Sequence, residues 1–174
     1  YGSKNPLSLM CRMHCQTYAP TLTIQQPFNN LIRSTIYAMA AIMGGVQSLH
    51  VNSFDEALAI PTEFAAALSV RTQQIIDVET DITKVIDPLG GSYYVEWLTN
   101  KLEEEAIQLI DKIQDMGGAF KAWDWMCLEI RNAAMENQQE YDSSKRMLVG
   151  VNTLIDEKDI QMEALKVLQQ HADF

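Results

Sequence analysis

The 174-residue sequence predicts an α/β chain, with two strand–helix units that build parallel sheet and then a mostly helical segment. Three observations carry that class. The strings RMHCQT at residues 12–17 and VQSLHVNSFDEA at 46–57 are each a short strand-like run that ends in polar residues and enters a helix. A two-residue link, Gly44-Gly45, joins the first predicted helix to the second strand, as in right-handed βαβ units. After residue 87 the alternation stops and long helical periodicities take over. Two parallel strands cannot bury a sheet on both faces. The chain also opens at Tyr1 rather than Met, so it reads as a piece of something longer.

The elements follow in order. Residues 1–10 are a polar entry loop. Residues 9–16 read as a strand whose alternation puts Arg12, His14 and Gln16 on one face and Cys11, Met13 and Cys15 on the other. Tyr18, Ala19 and Pro20 turn the chain into a helix over 23–43, with the apolar stripe Phe28, Leu31, Ile32, Ile36 and Met39. The glycine pair stops it. A second strand follows over 46–51, with Ser48, His50 and Asn52 as a second row. Asn52, Ser53 and Asp55 offer capping groups, and a helix entered near Pro61 runs to residue 79 with Phe64, Leu68, Ile75 and Ile76 inward.

Asp87-Pro88-Leu89-Gly90-Gly91-Ser92 is a tight turn in which Ser92 is placed to cap a helix over 93–116. That helix carries Leu98, Leu102, Ala106, Leu109, Ile110 and Ile113 on one side. Gly117-Gly118 precedes another helix over 119–139, residues 147–151 form a short strand, and an amphipathic helix over 160–170 ends the chain. The expected division is residues 1–80 as strand–helix units and 81–174 as a helical appendage.

Composition bounds the function. A net charge of −10 argues against nucleic acid or an anionic membrane surface as partner. No apolar run approaches the roughly 20 residues that span a bilayer. Three cysteines at irregular spacing suit reduced thiols and a cytoplasmic setting. Cys11, His14 and Cys15 do not predict a metal centre, because His14 points away from both cysteines in a strand. On residue types alone, a lone His14 or His50 is more often structural than functional. Trp97, Trp123 and Trp125 read as packing residues, and Glu103, Glu104 and Glu105 as a solvated helix face. Glu56 with Asn52 also satisfies helix-start electrostatics.

The strings RMHCQT, LTIQQPFNN, GGVQSLHVNSFDEALAIPTE, RTQQII, DPLGGSYYVEWLT and VGVN, in this order over residues 7–152, resemble the adenosylcobalamin-dependent acyl-CoA mutases, the methylmalonyl-CoA mutase family. The resemblance implies a partial (β/α)8 TIM barrel, its last two strand–helix units, followed by a helical linker. It implies that His14 and Gln16 line the substrate and cofactor side of the cavity as catalytic residues. Arg12, Gln47 and Ser48 would meet the acyl-CoA, and Ala19, Asn52, Glu56 and Ala57 would lie against adenosylcobalamin, with Glu56 holding the adenosyl ribose. Family members usually carry glycine where this chain has Ala19, followed here by Pro20. The Asp-x-His-x-x-Gly signature that supplies the lower cobalt ligand is absent, so that ligand is expected from another domain or subunit.

The implied reaction is a radical 1,2-shift of the carbon skeleton of an acyl-CoA, of methylmalonyl/succinyl or isobutyryl type. The cofactor does the hard step, and the protein orients substrate and excludes water. The chain alone is expected to be inactive, and oligomeric with the remaining barrel and a cobalamin-binding domain or subunit. The rival reading is a non-catalytic assembly module, with the linker helices as a docking surface.

Overall fold

A computed structural model describes residues 2–171, and side chains as far as Val167. Tyr1 and residues 172–174, which the expected domains include, lie outside the described residues. The elements are β1 (His14–Gln16), α1 (Asn29–Met43), β2 (Ser48–His50), α2 (Glu63–Glu79), α3 (Tyr93–Asp115), α4 (Trp123–Asp142) and α5 (Ile160–His171). Two compact units result: Tyr1–Pro88 together with Asp156–Phe174, and Leu89–Ile155.

In the first unit β1 and β2 pair in parallel, with His14 opposite Ser48, Cys15 opposite Leu49 and Gln16 opposite His50. The α/β class and the parallel pairing of the two units agree with the sequence. The first strand is shorter than expected. Pro6–Leu9 is a 3₁₀ turn, with a proline in its first turn and the Asn5 Oδ1 accepting from the Leu7 N–H at 3.0 Å. Pairing starts where the Gln47 N–H meets the Met13 carbonyl at 3.0 Å, so Arg12 falls outside the strand.

Helix α1 begins at Asn29 rather than 23, because Gln26 takes a left-handed φ of 48° and Pro27 follows it. The loop this leaves is tied down by Asn30, which is fully buried. Its Nδ2 donates to the Thr23 and Phe54 carbonyls at 2.8 and 2.9 Å, and its Oδ1 accepts from the Thr23 N–H at 3.0 Å.

The inward faces differ from the sequence reading. Helix α1 buries Asn30, Ser34 and Ala38, while Ile32, Ile36 and Met39 are exposed. Helix α2 buries Ala65, Ser69, Thr72 and Ile76, while Phe64 and Ile75 are exposed. Hydrophobic periodicity finds the apolar stripe, but close approach of a helix to a strand requires small side chains at the contact. One core cluster joins Ala38, Val51 and Ile76 with Ile42, Leu49 and Ile82. The other joins Phe54, Ala65 and Leu165 with Phe28, Leu31 and Met162 among its neighbours. Phe28 and Phe54 lie 5.1 Å apart between ring centroids.

Leu165 and Met162 place α5 in the first unit, where the sequence reading had put it in the helical appendage. Polar contacts reinforce this. Asp159 accepts from the Gln26, Gln161 and Met162 N–H groups at 2.8, 3.1 and 3.0 Å, so it caps α5 and grips the α1 entry loop together. Asp156 accepts from Gln26 Nε2 at 2.8 Å, and Gln161 Oε1 accepts from the Phe28 N–H at 2.9 Å.

The second unit holds α3 and α4. Ser92 makes no capping bond; Glu96 reaches back instead, accepting from the Gly91 N–H at 3.0 Å. Helix α4 starts at Trp123 rather than 119. Gly117 and Gly118 both have φ near +90°, and the next residues form a turn that closes on the Gly118 carbonyl. Trp125 is half-buried with Lys112 Nζ 4.3 Å from its ring centroid, whereas Trp97 and Trp123, expected to pack, are exposed. The expected strand over 147–151 reduces to a single bridge between Val149 and Thr153. Asn152 shapes it, accepting from the Leu148 N–H at 2.7 Å and donating to the Tyr141 and Arg146 carbonyls, both at 2.9 Å. No helix among the described residues is long and apolar enough to cross a membrane.

Candidate functional site

Parallel strands deliver chemistry at their C-terminal ends, where each gives way to a loop. Here both ends converge on Asn52. The exposed face of the strand pair carries His14 and Gln16 from β1, and Ser48 and His50 from β2, in two rows at matching register. His14 Nδ1 and Ser48 Oγ share a hydrogen bond of 2.7 Å. Gln16 Nε2 donates to Asn52 Oδ1 at 3.1 Å. Thus the structure brings together His14 with Ser48, and Gln16 with Asn52, as direct contacts.

Asn52 itself is only 1% exposed. Its Oδ1 also accepts from the Thr17 hydroxyl at 3.1 Å, and its backbone N–H donates back to Thr17 Oγ1 at 2.9 Å. Ser34 on α1 donates to the Asn52 carbonyl at 3.2 Å. Asn52 Nδ2 is buried without a hydrogen-bond partner, and so is Asp55 Oδ1 three residues on. The other Asp55 oxygen accepts from the N–H and hydroxyl of Thr62, at 3.0 and 2.9 Å. Thr62 in turn caps α2 through the Ala65 N–H at 3.2 Å. Between Asn52 and α2 the chain makes turns rather than the expected helix start. That leaves Glu56 exposed and Ala57 half-buried, and the Glu56 carboxylate makes no hydrogen bond among the described residues.

The remaining predicted residues sit elsewhere. Gln47 is engaged with main chain at the opposite end of β2, accepting from the Met13 N–H and donating to the Gly45 carbonyl, both at 2.6 Å. With Ser48 it borders a cavity of about 350 Å³ that Ile42, Val46, Leu49 and Asp77 also line. Ala19 starts a 3₁₀ turn, Ala19–Thr21, without a positive φ, so its methyl group carries no backbone penalty there. Arg12 is exposed and its guanidinium contacts the Met10 sulfur at 3.7 Å, away from the paired rows. Among the described residues no group of His, Cys, Asp and Glu is arranged to hold a metal ion.

Sequence reasoning missed Thr17, Ser34 and the buried side of Asp55. The signal for Thr17 was present as the last letter of RMHCQT. Strand alternation would put it opposite Gln16, and only the end of the strand lets both reach one amide.

The methylmalonyl-CoA mutase family model matches residues 1–173. Methylmalonyl-CoA mutase from Bos taurus mitochondria is 48% identical over 94% of this chain, and that of Rhizobium meliloti is 46% identical over 92%. The large subunit of 2-hydroxyisobutanoyl-CoA mutase from Aquincola tertiaricarbonis is 42% identical over 94% of it. The chain spans 22%, 23% and 30% of the lengths of these three relatives, respectively. With the family model matching its whole described length, the chain belongs to the methylmalonyl-CoA mutase family.

Proposed function

We propose that this chain forms two adjacent walls of the cavity of an adenosylcobalamin-dependent acyl-CoA mutase, an isomerase, as the last two strand–helix units of its (β/α)8 barrel. The observation that carries the reading is the double pairing across the strands, His14 with Ser48 and Gln16 with Asn52, in a chain of this family. The acyl group is of methylmalonyl/succinyl or isobutyryl type; the relatives' names carry methylmalonyl-CoA and 2-hydroxyisobutanoyl-CoA. The rest of the barrel and a cobalamin-binding domain or subunit are the partners, and the setting is cytoplasmic.

The residues present fit the cofactor. Glu56 offers an unengaged, exposed carboxylate next to a stretch holding two orphaned buried polar atoms, Asn52 Nδ2 and Asp55 Oδ1. A carboxylate accepts from sugar hydroxyls, so Glu56 is the residue to hold the adenosyl ribose, with Asn52 and Ala57 on the same loop and Ala19 contributing from the loop after β1. When bound, adenosylcobalamin supplies the carbon-centred radical chemistry that no side chain offers. This chain's residues then bind, orient and shield. Ser48 fixes the His14 ring through Nδ1, which leaves Nε2 to donate to a thioester carbonyl. Gln16 orients the acyl group beside it, and Gln47 with Ser48 meets the coenzyme A portion. None of these groups is easily oxidised, which suits radical work.

The test is turnover of acyl-CoA by the complete protein. His14→Ala lowers kcat by about a hundredfold or more, as loss of a positioned donor does. Glu56→Ala weakens adenosylcobalamin binding. Wild-type turnover in both variants overturns the site assignment. A complete protein that assembles but ignores both acyl-CoA and adenosylcobalamin would instead support the assembly-module reading.

A further inference from the structure

We infer that Thr17 is a positioning residue that sets which end of the Gln16 amide faces the cavity, an inference that rests on the mutase reading above. The reasoning is one of hydrogen-bond polarity. The Asn52 backbone N–H can only donate, so Thr17 Oγ1 accepts from it at 2.9 Å. Thr17 is 5% exposed, and a buried hydroxyl must also donate. Its acceptor is Asn52 Oδ1 at 3.1 Å. A flipped Asn52 would face that hydroxyl with an NH₂ group and strand its proton. Thr17 therefore fixes Asn52 with its oxygen toward Gln16.

Gln16 must answer an oxygen with its NH₂, and it does, at 3.1 Å. That leaves the Gln16 carbonyl oxygen and one remaining N–H on the exposed face that carries His14. The carbonyl selects a ligand group that donates, an amide N–H or a hydroxyl. Both partners are held through main-chain groups: the Thr17 N–H donates to the His50 carbonyl at 3.0 Å, and the Asn52 carbonyl accepts from Ser34. The relay runs from main chain through two buried side chains to one exposed amide. Nothing in it requires Thr17 to touch the ligand.

The experiment uses the complete protein with Thr17→Val, which keeps the shape and deletes the hydroxyl, and Thr17→Ser, which restores it. In crystal structures of the two variants, Gln16 leaves Asn52 in the valine protein and stays bonded in the serine protein. In turnover, Thr17→Val lowers kcat/KM by about tenfold, Thr17→Ser stays within about twofold of wild type, and Thr17→Val added to Gln16→Ala costs little more. A purely structural role would lower the melting temperature but leave that double-mutant cycle additive. Gln16 unmoved in the valine variant, or full additivity, overturns the inference. A wild-type protein without mutase turnover overturns the functional reading instead, and the crystal structures still decide the role of Thr17.

Discussion

At the residue scale, the first unit is held by a few buried polar side chains that each serve several main-chain groups. Asn30 is the strongest case, since its amide satisfies both Thr23 main-chain groups and the Phe54 carbonyl. Asn30→Ala would strand buried partners, each costing about 1–3 kcal/mol, so urea unfolding of this variant should show a loss of at least about 2 kcal/mol. Thr62 caps α2 while donating to Asp55. Thr62→Ala should cost about 1–2 kcal/mol by the same measurement. The sequence disclosed the types of these residues and their order, which is why His14, Gln16 and Asn52 were legible as a group. It did not disclose Thr17 or the orphaned Asp55 oxygen. Those depend on how two strand ends 34 to 36 positions apart meet, and local periodicity carries no such information.

At the scale of elements, strand–helix order, parallel pairing and the glycine stop were readable, because each has a local cause. The helix faces were not. Asn30, Ser34 and Ala38 look polar or small in sequence, yet they are the side of α1 that meets the strand ends. Ala38 has no exposed surface and touches Val51 and Ile76. Ala38→Leu should overpack this contact and cost about 1–3 kcal/mol in denaturant unfolding. Asp159 belongs to this scale too, because it joins two elements. Burial works against its charge, but the N–H groups of Gln26, Met162 and Gln161 hold its carboxyl below the ordinary carboxylate range. A lowered folded pKa gives stability that is present above the unfolded value of about 3.9 and lost as pH falls through and below it. Acid unfolding of Asp159→Asn should therefore start from lower stability at neutral pH and fall less steeply below about pH 4.

At the scale of the whole molecule, large apolar side chains stay exposed on every helix, Ile36 and Met39 on α1 and Ile110 on α3 among them. Patches of this kind mark interaction surfaces. We expect the chain expressed by itself to self-associate in sedimentation at micromolar concentration and to lack mutase turnover. A monodisperse monomer would count against the barrel reading, in which β1 and β2 have further strands beside them. The α/β class and the parallel strand pair could be read locally, whereas a barrel is implied by the family motifs alone. Nothing local in two short strands announces closure, and the return of α5 to the first unit lay beyond the motif strings, which end at residue 152.

That return has a kinetic consequence. Gln26 and Asp156 are bonded across 130 positions of sequence, with a separate compact unit filling residues 89–155 between them. Closing so long a flexible loop costs entropy that grows with the logarithm of its length. A folded insert leaves fewer free residues in that loop than a disordered one of the same length would. During synthesis the α1 entry loop must wait, its Gln26 and Phe28 amides unanswered, until the ribosome has released Asp156 to Gln161. The turn that locks the α1 entry loop thus emerges 130 positions after the loop itself.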